Sequence, residues 1–249
     1  DHRGDTLAKI AGEKAGIFKP GAPVVLAPQA PEAADVLEAR AHALNAPLYR
    51  AGHEWTAAAT DGGMRYEGTR WKLDLPKPAL FGPHQFVNAG AAIACLEMLG
   101  GFPVSPAQIR QGLVNVDWPA RMQRLKRGPL VAKLPRGWEL WLDGGHNAGC
   151  GEALAEIAKG WRDRPLYLNY GMLNTKAPEG FLKPLSPYVA ALRAVAIPGA
   201  DATLSGEDAA KHARASGIDA RSAPGIGARA SSHRAARSRH AGRAPARPV

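Results

Sequence analysis

The sequence predicts an α/β fold with a largely parallel sheet. Short apolar runs, at 23–27, 139–143 and 165–170, alternate with segments of helical periodicity. One of these runs ends in Asp143-Gly144-Gly145, a Gly-rich turn with a helix behind it, as in sheets that bind ligands at the carboxyl ends of their strands. The 249 residues, 45% apolar and 22% charged, suffice for one large domain or two smaller ones. That balance excludes a collagen-like, coiled-coil or wholly disordered chain.

The elements follow in order. Residues 5–15 read as a helix with Asp5 as N-cap, and Leu7, Ile10, Ala11 and Lys14 fall on one face. Gly16 and Lys19-Pro20-Gly21 end it. Residues 23–27 form a short buried strand, and 31–45 a helix with apolar spacing at Ala34, Leu37 and Ala41. Residues 47–75 are short strands with a turn at Asp61-Gly62-Gly63. A strong helix covers 85–99 and stops at Gly100-Gly101, and Pro106 opens another that runs to about Asn115. Trp118-Pro119 marks a boundary. Beyond it come a strand-rich stretch to Asp143, a helix over 151–159, strands at 165–170 and 192–197, and a helix over 205–216. No internal repeat is visible.

Charge is unevenly placed. The formal net charge is +10, and residues 221–249 hold seven arginines and no acidic residue, so the first 220 residues carry only +3. From Gly225 on, the composition is almost wholly Ala, Arg, Ser, Gly, Pro and His, too poor in apolar surface to offset ordering entropy. Three readings compete: a phosphate-seeking nucleic-acid tail, a solvated tail without a partner, and the product of a shifted reading frame in a GC-rich gene. Without interleaved aromatics the tail offers no stacking platform for bases. No run approaches the length that spans a bilayer, and the first residues have neither the charge nor the apolar core of a secretory signal. Two cysteines, Cys95 and Cys150, form no disulfide framework, and a reducing cytoplasmic setting is expected.

Several residues can carry chemistry. Asp143 suits ribose hydroxyls or a cation, and His146 a phosphate, at a helix N-terminus that favours anions. A tight turn with Asp and Asn capping the helix accounts for the same residues. Gly149 and Gly151 supply two glycines of a dinucleotide fingerprint, but Leu154 takes the place of the third. Lys14 shares the apolar face of its helix. Either it snorkels outward, or it serves a buried site where a neutral amine can take up CO2 and become a carbamate ligand for Mg2+. Arg121, after a rigid Trp118-Pro119, suits a phosphate clamp or a surface linker. Asn88 lies on the face of a helix, and His2 beside Asp1 carries no signal by itself. No G-x-x-x-x-G-K-[ST] loop, H-E-x-x-H or paired Cys-x-x-Cys occurs.

Six short motifs then occur in one order: Asp1-His2, Glu13-Lys14-Ala15-Gly16-Ile17-Phe18-Lys19-Pro20-Gly21, His84-Gln85-x-x-Asn88-Ala89, Trp118-Pro119-x-Arg121, Leu142-Asp143-Gly144-x-His146-Asn147 and Gly171-Met172-Leu173-x-x-Lys176. Over residues 1–224 the chain resembles the folylpolyglutamate synthase/dihydrofolate synthases of the Mur ligase superfamily. The resemblance implies the C-terminal portion of a P-loop ATPase domain at 1–117, a Rossmann-like Mur ligase C-terminal domain at 118–224, and a disordered arginine-rich tail at 225–249. It implies an ATP- and Mg2+-dependent ligase. A carboxylate of dihydropteroate or of a tetrahydrofolate polyglutamate is activated as an acyl phosphate, and the amine of L-glutamate attacks it.

By the same resemblance His2 and Lys14 match metal-site positions, Lys14 being the lysine that is carbamylated. Asn88, Arg121 and Asp143 match ATP-binding positions, and His146 lies near the phosphates or the incoming glutamate. Lys14 and His146 are the expected catalytic residues. Ala120 stands where the family usually has Gly, and Gly145 where it usually has Ala. The Walker-type loop is absent, so no ligase activity is expected of this chain alone. A cytoplasmic monomer without membrane or nucleic-acid partners is expected. The alternatives are another Mur-type amino-acid ligase, or a non-catalytic remnant whose basic tail binds nucleic acid.

Overall fold

The computed structural model describes residues 6–225. His2, Asp5 and the arginine-rich segment from 226 on lie outside the described residues. The chain divides into two compact units, the first ending at Trp118 and the second beginning at Pro119. Among the described residues no helix is long and apolar enough to cross a membrane.

The first unit opens with helix α1 (Leu7–Lys14). Its N-cap is Thr6, whose hydroxyl accepts from the Lys9 amide at 3.3 Å. The cap therefore falls one residue later than the expected Asp5. A 3-10 turn, Ala15–Ile17, follows, and the chain turns extended at Phe18. The buried face of α1 is not the predicted one. Ala11 and Ala15 are buried, whereas Leu7 is 53% and Ile10 39% exposed, and Lys14 is exposed too. The reason is the neighbour. Helix α2 (Pro31–Ala43) packs on α1 through Ala33, Leu37 and Ala41, and small residues let two helices approach closely. Beside them strands β1 (Val24–Leu26) and β2 (Leu48–Arg50) pair in parallel. Arg50 ends β2 in an ion-pair network with Glu54 at 2.8 Å and Glu38 at 3.2 Å. The hydrogen bond from the Arg50 guanidinium is the main cause that holds the Glu54 carboxyl down to about 2.

An antiparallel meander follows: β3 (Thr56–Thr60), β4 (Gly63–Glu67) and β5 (Lys72–Pro76). Asp61-Gly62 makes the first turn, where the sequence places one. Alternation sends Met64, Tyr66, Leu73 and Leu75 inward, against helix α3 (His84–Met98) and its Ala89, Ile93 and Ala94. Gly90 permits this crossing, because a Cβ there would meet Ala57 Cβ at 2.4 Å. Glu97 then pins the β4–β5 loop, accepting from the amides of Thr69, Arg70 and Trp71 at 2.7–3.1 Å. Helix α4 (Pro106–Asn115) starts with a capping box of Ser105 and Gln108.

The second unit holds β6 (Gln123–Leu125), α5 (Pro129–Ala132), β7 (Leu140–Leu142), α6 (Ala148–Lys159), β8 (Leu166–Tyr170), α7 (Pro178–Leu182), β9 (Val189–Ala194), α8 (Gly206–Ala215) and β10 (Ala220–Ser222). β8, β9 and β10 pair in parallel in the order β10-β9-β8, and β6 pairs antiparallel with β7. Among the described residues, parallel pairing is thus confined to β1–β2 and to this three-stranded sheet. The core gathers Leu182, Leu185, Leu192, Ala194, Ala209 and Ala213. Three expectations shift here. α6 begins at Ala148 rather than about Gly151, because Asn147 caps it. The strand expected at 192–197 lies at 189–194, since Leu192 and Ala194 are the residues that face the core. The short α5, α7 and β10 were not anticipated; none is long enough to show a period.

Candidate functional site

The turn after β7 is built by one carboxylate. Asp143 Oδ2 accepts from the Met122 amide at 2.8 Å, and Oδ1 from the Gly145 amide at 2.7 Å. The Gly144 amide donates to the Ala120 carbonyl at 2.9 Å. Segments 120–122 and 143–145 are therefore tied together, with Arg121 at the centre of the tie. Ala120 (φ 57°) and Met122 (φ 43°) both take left-handed backbone around it. Such a conformation costs a non-glycine residue of order 1 kcal/mol, and the Asp143 bonds offset it. Ala120 thus holds the left-handed backbone that favours glycine.

Around this tie stand groups suited to an anion. Arg121 is exposed. Gly144 leaves room for its guanidinium, since a Cβ on Gly144 would lie 3.5 Å from Arg121 Nη1. His146 is exposed and its Nδ1 lies 3.1 Å from the Gly144 carbonyl, so the tautomer protonated there leaves Nε2 turned outward. Asn147 Oδ1 accepts from the Cys150 amide at 2.9 Å, and no acidic residue lies in the first turn of α6. A guanidinium, an imidazole and a helix N-terminus thus meet beside two glycines. The structure brings Arg121, Asp143 and His146 into one cluster.

Asp143 does not stand open as a ribose or cation ligand in the way its position at a strand end led us to expect. Both of its oxygens are engaged by backbone amides, although each keeps a further lone pair. Gly149 and Gly151 are not a phosphate-binding turn, because both lie inside α6. Gly151 has a packing cause: its Cβ would sit 2.3 Å from the Phe181 carbonyl oxygen. Gly145 is equally confined, since a Cβ would meet Asp143 Oδ1 at 2.9 Å and Phe181 Cε2 at 3.0 Å.

The other candidates lie in the first unit. Asn88 is exposed on α3, and its amide nitrogen donates to Gln85 Oε1 at 3.0 Å. Gln85 is buried, and its Nε2 lies 2.9 Å from His84 Nε2. This chain of side chains fixes the Asn88 amide and leaves its Oδ1 as an acceptor. Lys14 is exposed at the end of α1 and sits in no apolar pocket. Among the described residues no three His, Cys, Asp or Glu side chains gather as a metal site. Reading the sequence missed the backbone partners of Asp143, Met122 and Gly145. The signal that could have found them was the acid directly followed by two glycines, a pattern that favours side-chain to backbone bonding.

Known proteins resemble the chain as a whole. No family model matches the chain. The dihydrofolate synthase/folylpolyglutamate synthase of Bacillus subtilis is 35% identical over 165 residues, covering 63% of this chain and 36% of the relative. The mitochondrial folylpolyglutamate synthase of Homo sapiens is 32% identical over 220 residues, covering 74% of this chain and 34% of the relative. Among solved structures, E. coli FolC in complex with DHPP and ADP superposes with a TM-score of 0.76 at 26% identity, covering 95% of this chain and 53% of that one. The folylpolyglutamate synthase of Mycobacterium tuberculosis, complexed with ADP and AMPPCP, gives 0.77 at 26% identity over 97% of this chain and 55% of that one. Over most of its length the chain is similar to folylpolyglutamate and dihydrofolate synthases. It spans between about a third and a half of the length of the curated relatives it matches. The α/β architecture is that of the family's ligases over almost all of the chain.

Proposed function

We propose that this chain supplies part of an ATP-dependent carboxylate–amine ligase that adds L-glutamate to dihydropteroate or to a tetrahydrofolate polyglutamate. The carrying observation is the cluster of Arg121, Asp143 and His146 at the N-terminus of α6, on a chain whose relatives are folylpolyglutamate and dihydrofolate synthases. Two relatives' structures add support. One contains ADP with DHPP, and one, a bifunctional folylpolyglutamate synthase/dihydrofolate synthase, contains Mn, AMPPNP and L-glutamate.

In this reading Arg121 and the α6 N-terminus bind nucleotide phosphate, which they fit by charge and exposure. Asp143 holds Arg121 in place through the Met122 amide and contributes its remaining lone pairs to the nucleotide. His146 Nε2 lies where it can meet a phosphate or the incoming glutamate. Asn88 Oδ1, fixed by Gln85, suits the amino group of a base. Lys14 and His2 are the residues that would serve Mg2+, with Lys14 as its carbamate. Bound metal neutralises phosphate charge. The chemistry asks positioning and charge neutralisation of the protein rather than covalent work. An amide forms, and ADP and phosphate leave. The segments at 1–117 and 118–224 are, on this proposal, the ATPase and Rossmann-like portions, and the working unit is a cytoplasmic monomer.

Nucleotide titration tests the site directly. Calorimetry with ADP should show saturable binding that Arg121→Ala weakens about tenfold, a loss typical of one charge-assisted phosphate contact. A chain that binds no ADP, or binds it equally well without Arg121, overturns the assignment.

A further inference from the structure

Three of the six tryptophans of the chain meet at one place in the second unit. Trp138 precedes β7, Trp141 lies in it, and Trp161 follows α6; Tyr167 of β8 joins them. Together they line a cleft of about 260 Å³. The rings already hold one another. Trp138 stacks on Tyr167 with centroids 5.4 Å apart, and Trp141 meets Trp161 at 5.5 Å with a tilt of 39°. None of the four is buried. An aromatic pair of the first unit behaves otherwise. Trp55 and Tyr66 also stack, at 6.5 Å, but are 2% and 0% exposed inside the core. That pair closes a core, whereas the four rings of the second unit keep a side turned to the cleft. Aromatic walls with a few polar groups among them are the usual lining of a small-ligand pocket.

Charge narrows the ligand. Glu139 at the cleft is bound by Arg124 at 2.7 Å and by the Trp141 indole N–H at 3.1 Å. Arg164 is committed to Asp163, which accepts from both its Nε and its Nη2. Arg136 also lines the cleft, is exposed, and has no ion pair among the described residues. The lining thus carries one uncompensated positive charge. Size narrows the ligand further, since the cleft falls just below the roughly 300–1,000 Å³ that holds a drug-sized molecule. No third ring fits between partners already in contact, so a ligand lies along the aromatic wall and not between the paired rings. We infer that this cleft binds a planar aromatic monoanion of one or two fused rings, its ring against the tryptophans and its anionic group on Arg136. The walls stand before the ligand arrives, which keeps the ordering cost of binding low. The cleft lies toward the N-terminal ends of β7 and β8, whereas the Asp143–His146 turn follows the C-terminal end of β7. The two share no residue, and the inference does not rest on the nucleotide reading.

The six indole N–H signals of the full chain provide the readout, each assigned by a single Trp→Phe substitution. Titration with 2-naphthoate should move the signals of Trp138, Trp141 and Trp161 saturably below about 1 mM and leave those of Trp55, Trp71 and Trp118 in place. The neutral analogue 2-naphthalenemethanol should bind about fivefold more weakly, and the non-aromatic anion cyclohexanecarboxylate at least about tenfold more weakly. Arg136→Gln, a change at an exposed side chain, should bring naphthoate down to the level of the alcohol and leave the alcohol unchanged. The absence of a saturable shift, or an equal shift of all six signals, overturns the site. Undiminished naphthoate binding to Arg136→Gln overturns the anion assignment. Displacement of naphthoate by ADP shows one shared site and overturns the separation. Self-association of the chain that naphthoate reverses shows an interface between copies and overturns the small-ligand assignment.

Discussion

Helices α1 and α6 make their closest contacts through their smallest residues, but they spend their large apolar side chains differently. α1 and the turn that follows it meet α2 through Ala11 and Ala15, and α1 leaves Leu7 and Ile10 in solvent. α6 lays Gly151 against the backbone of Phe181 and also buries Ile157. Burial thus follows the distance of the neighbouring backbone rather than the hydrophobicity of the residue. Where the neighbour is close, only Gly or Ala fits. Substitutions at the two contacts sharpen this difference.

The largest effect is expected at Gly151. Valine there drives a side chain into the Phe181 carbonyl, which backbone movement alone can relieve, and overpacking of that kind costs about 3 kcal/mol. Gly149, two residues earlier, has open space toward all but the Asn147 side chain. Alanine there should leave stability unchanged or raise it by up to about 1 kcal/mol through helix propensity. Urea unfolding of the two variants measures the pair. Similar effects at both positions would show that the α6–α7 contact is looser than its geometry.

Asp143 comes next. Asp143→Ala removes the acceptor of two backbone amides and should cost about 2 kcal/mol. Asp143→Asn keeps one acceptor oxygen and should recover about half of that. The loss should be accompanied by exposure of the 119–123 segment to protease, since Ala120 and Met122 hold left-handed backbone only while the tie is made. An alanine variant as stable as the parent would place the energy of this turn elsewhere.

These two regions also mark what sequence could and could not tell. The Asp143–Asn147 turn was legible because its chemistry is local: an acid, two glycines and a capping Asn act over a few residues. Its partner was not, since Met122 lies 21 residues away and contributes only a backbone amide. The strands of the β3–β5 meander were readable as short strands around the Asp61-Gly62-Gly63 turn, but their antiparallel pairing was not. α1 was misread in its facing. Periodicity locates a helix, but the direction of its buried face depends on α2, which the window of α1 does not contain. The same error placed Lys14 on a core-facing stripe, when its exposed end-of-helix position requires no burial at all. The Asn88 amide was legible only as a helix-face residue, because the Gln85–His84 chain that fixes it depends on Gln85 being buried.

The smallest effect is expected on the exposed face of α1, and it is the most direct check of the comparison. If burial follows backbone distance, Leu7→Gln and Ile10→Gln remove apolar side chains that are 53% and 39% exposed and should each change unfolding free energy by no more than about 0.5 kcal/mol. Ala11→Leu, on the same helix, forces the α1–α2 contact apart and should cost about 2 kcal/mol despite adding apolar surface. The two sets of variants push hydrophobicity in opposite directions, so an account based on apolar content alone predicts the reverse order. Should Leu7 and Ile10 cost more than Ala11, those side chains are covered in solution, and the apolar stripe read from the sequence is the contact face after all. Solubility provides a second readout: removing exposed leucine and isoleucine should lower self-association, whereas Ala11→Leu should not.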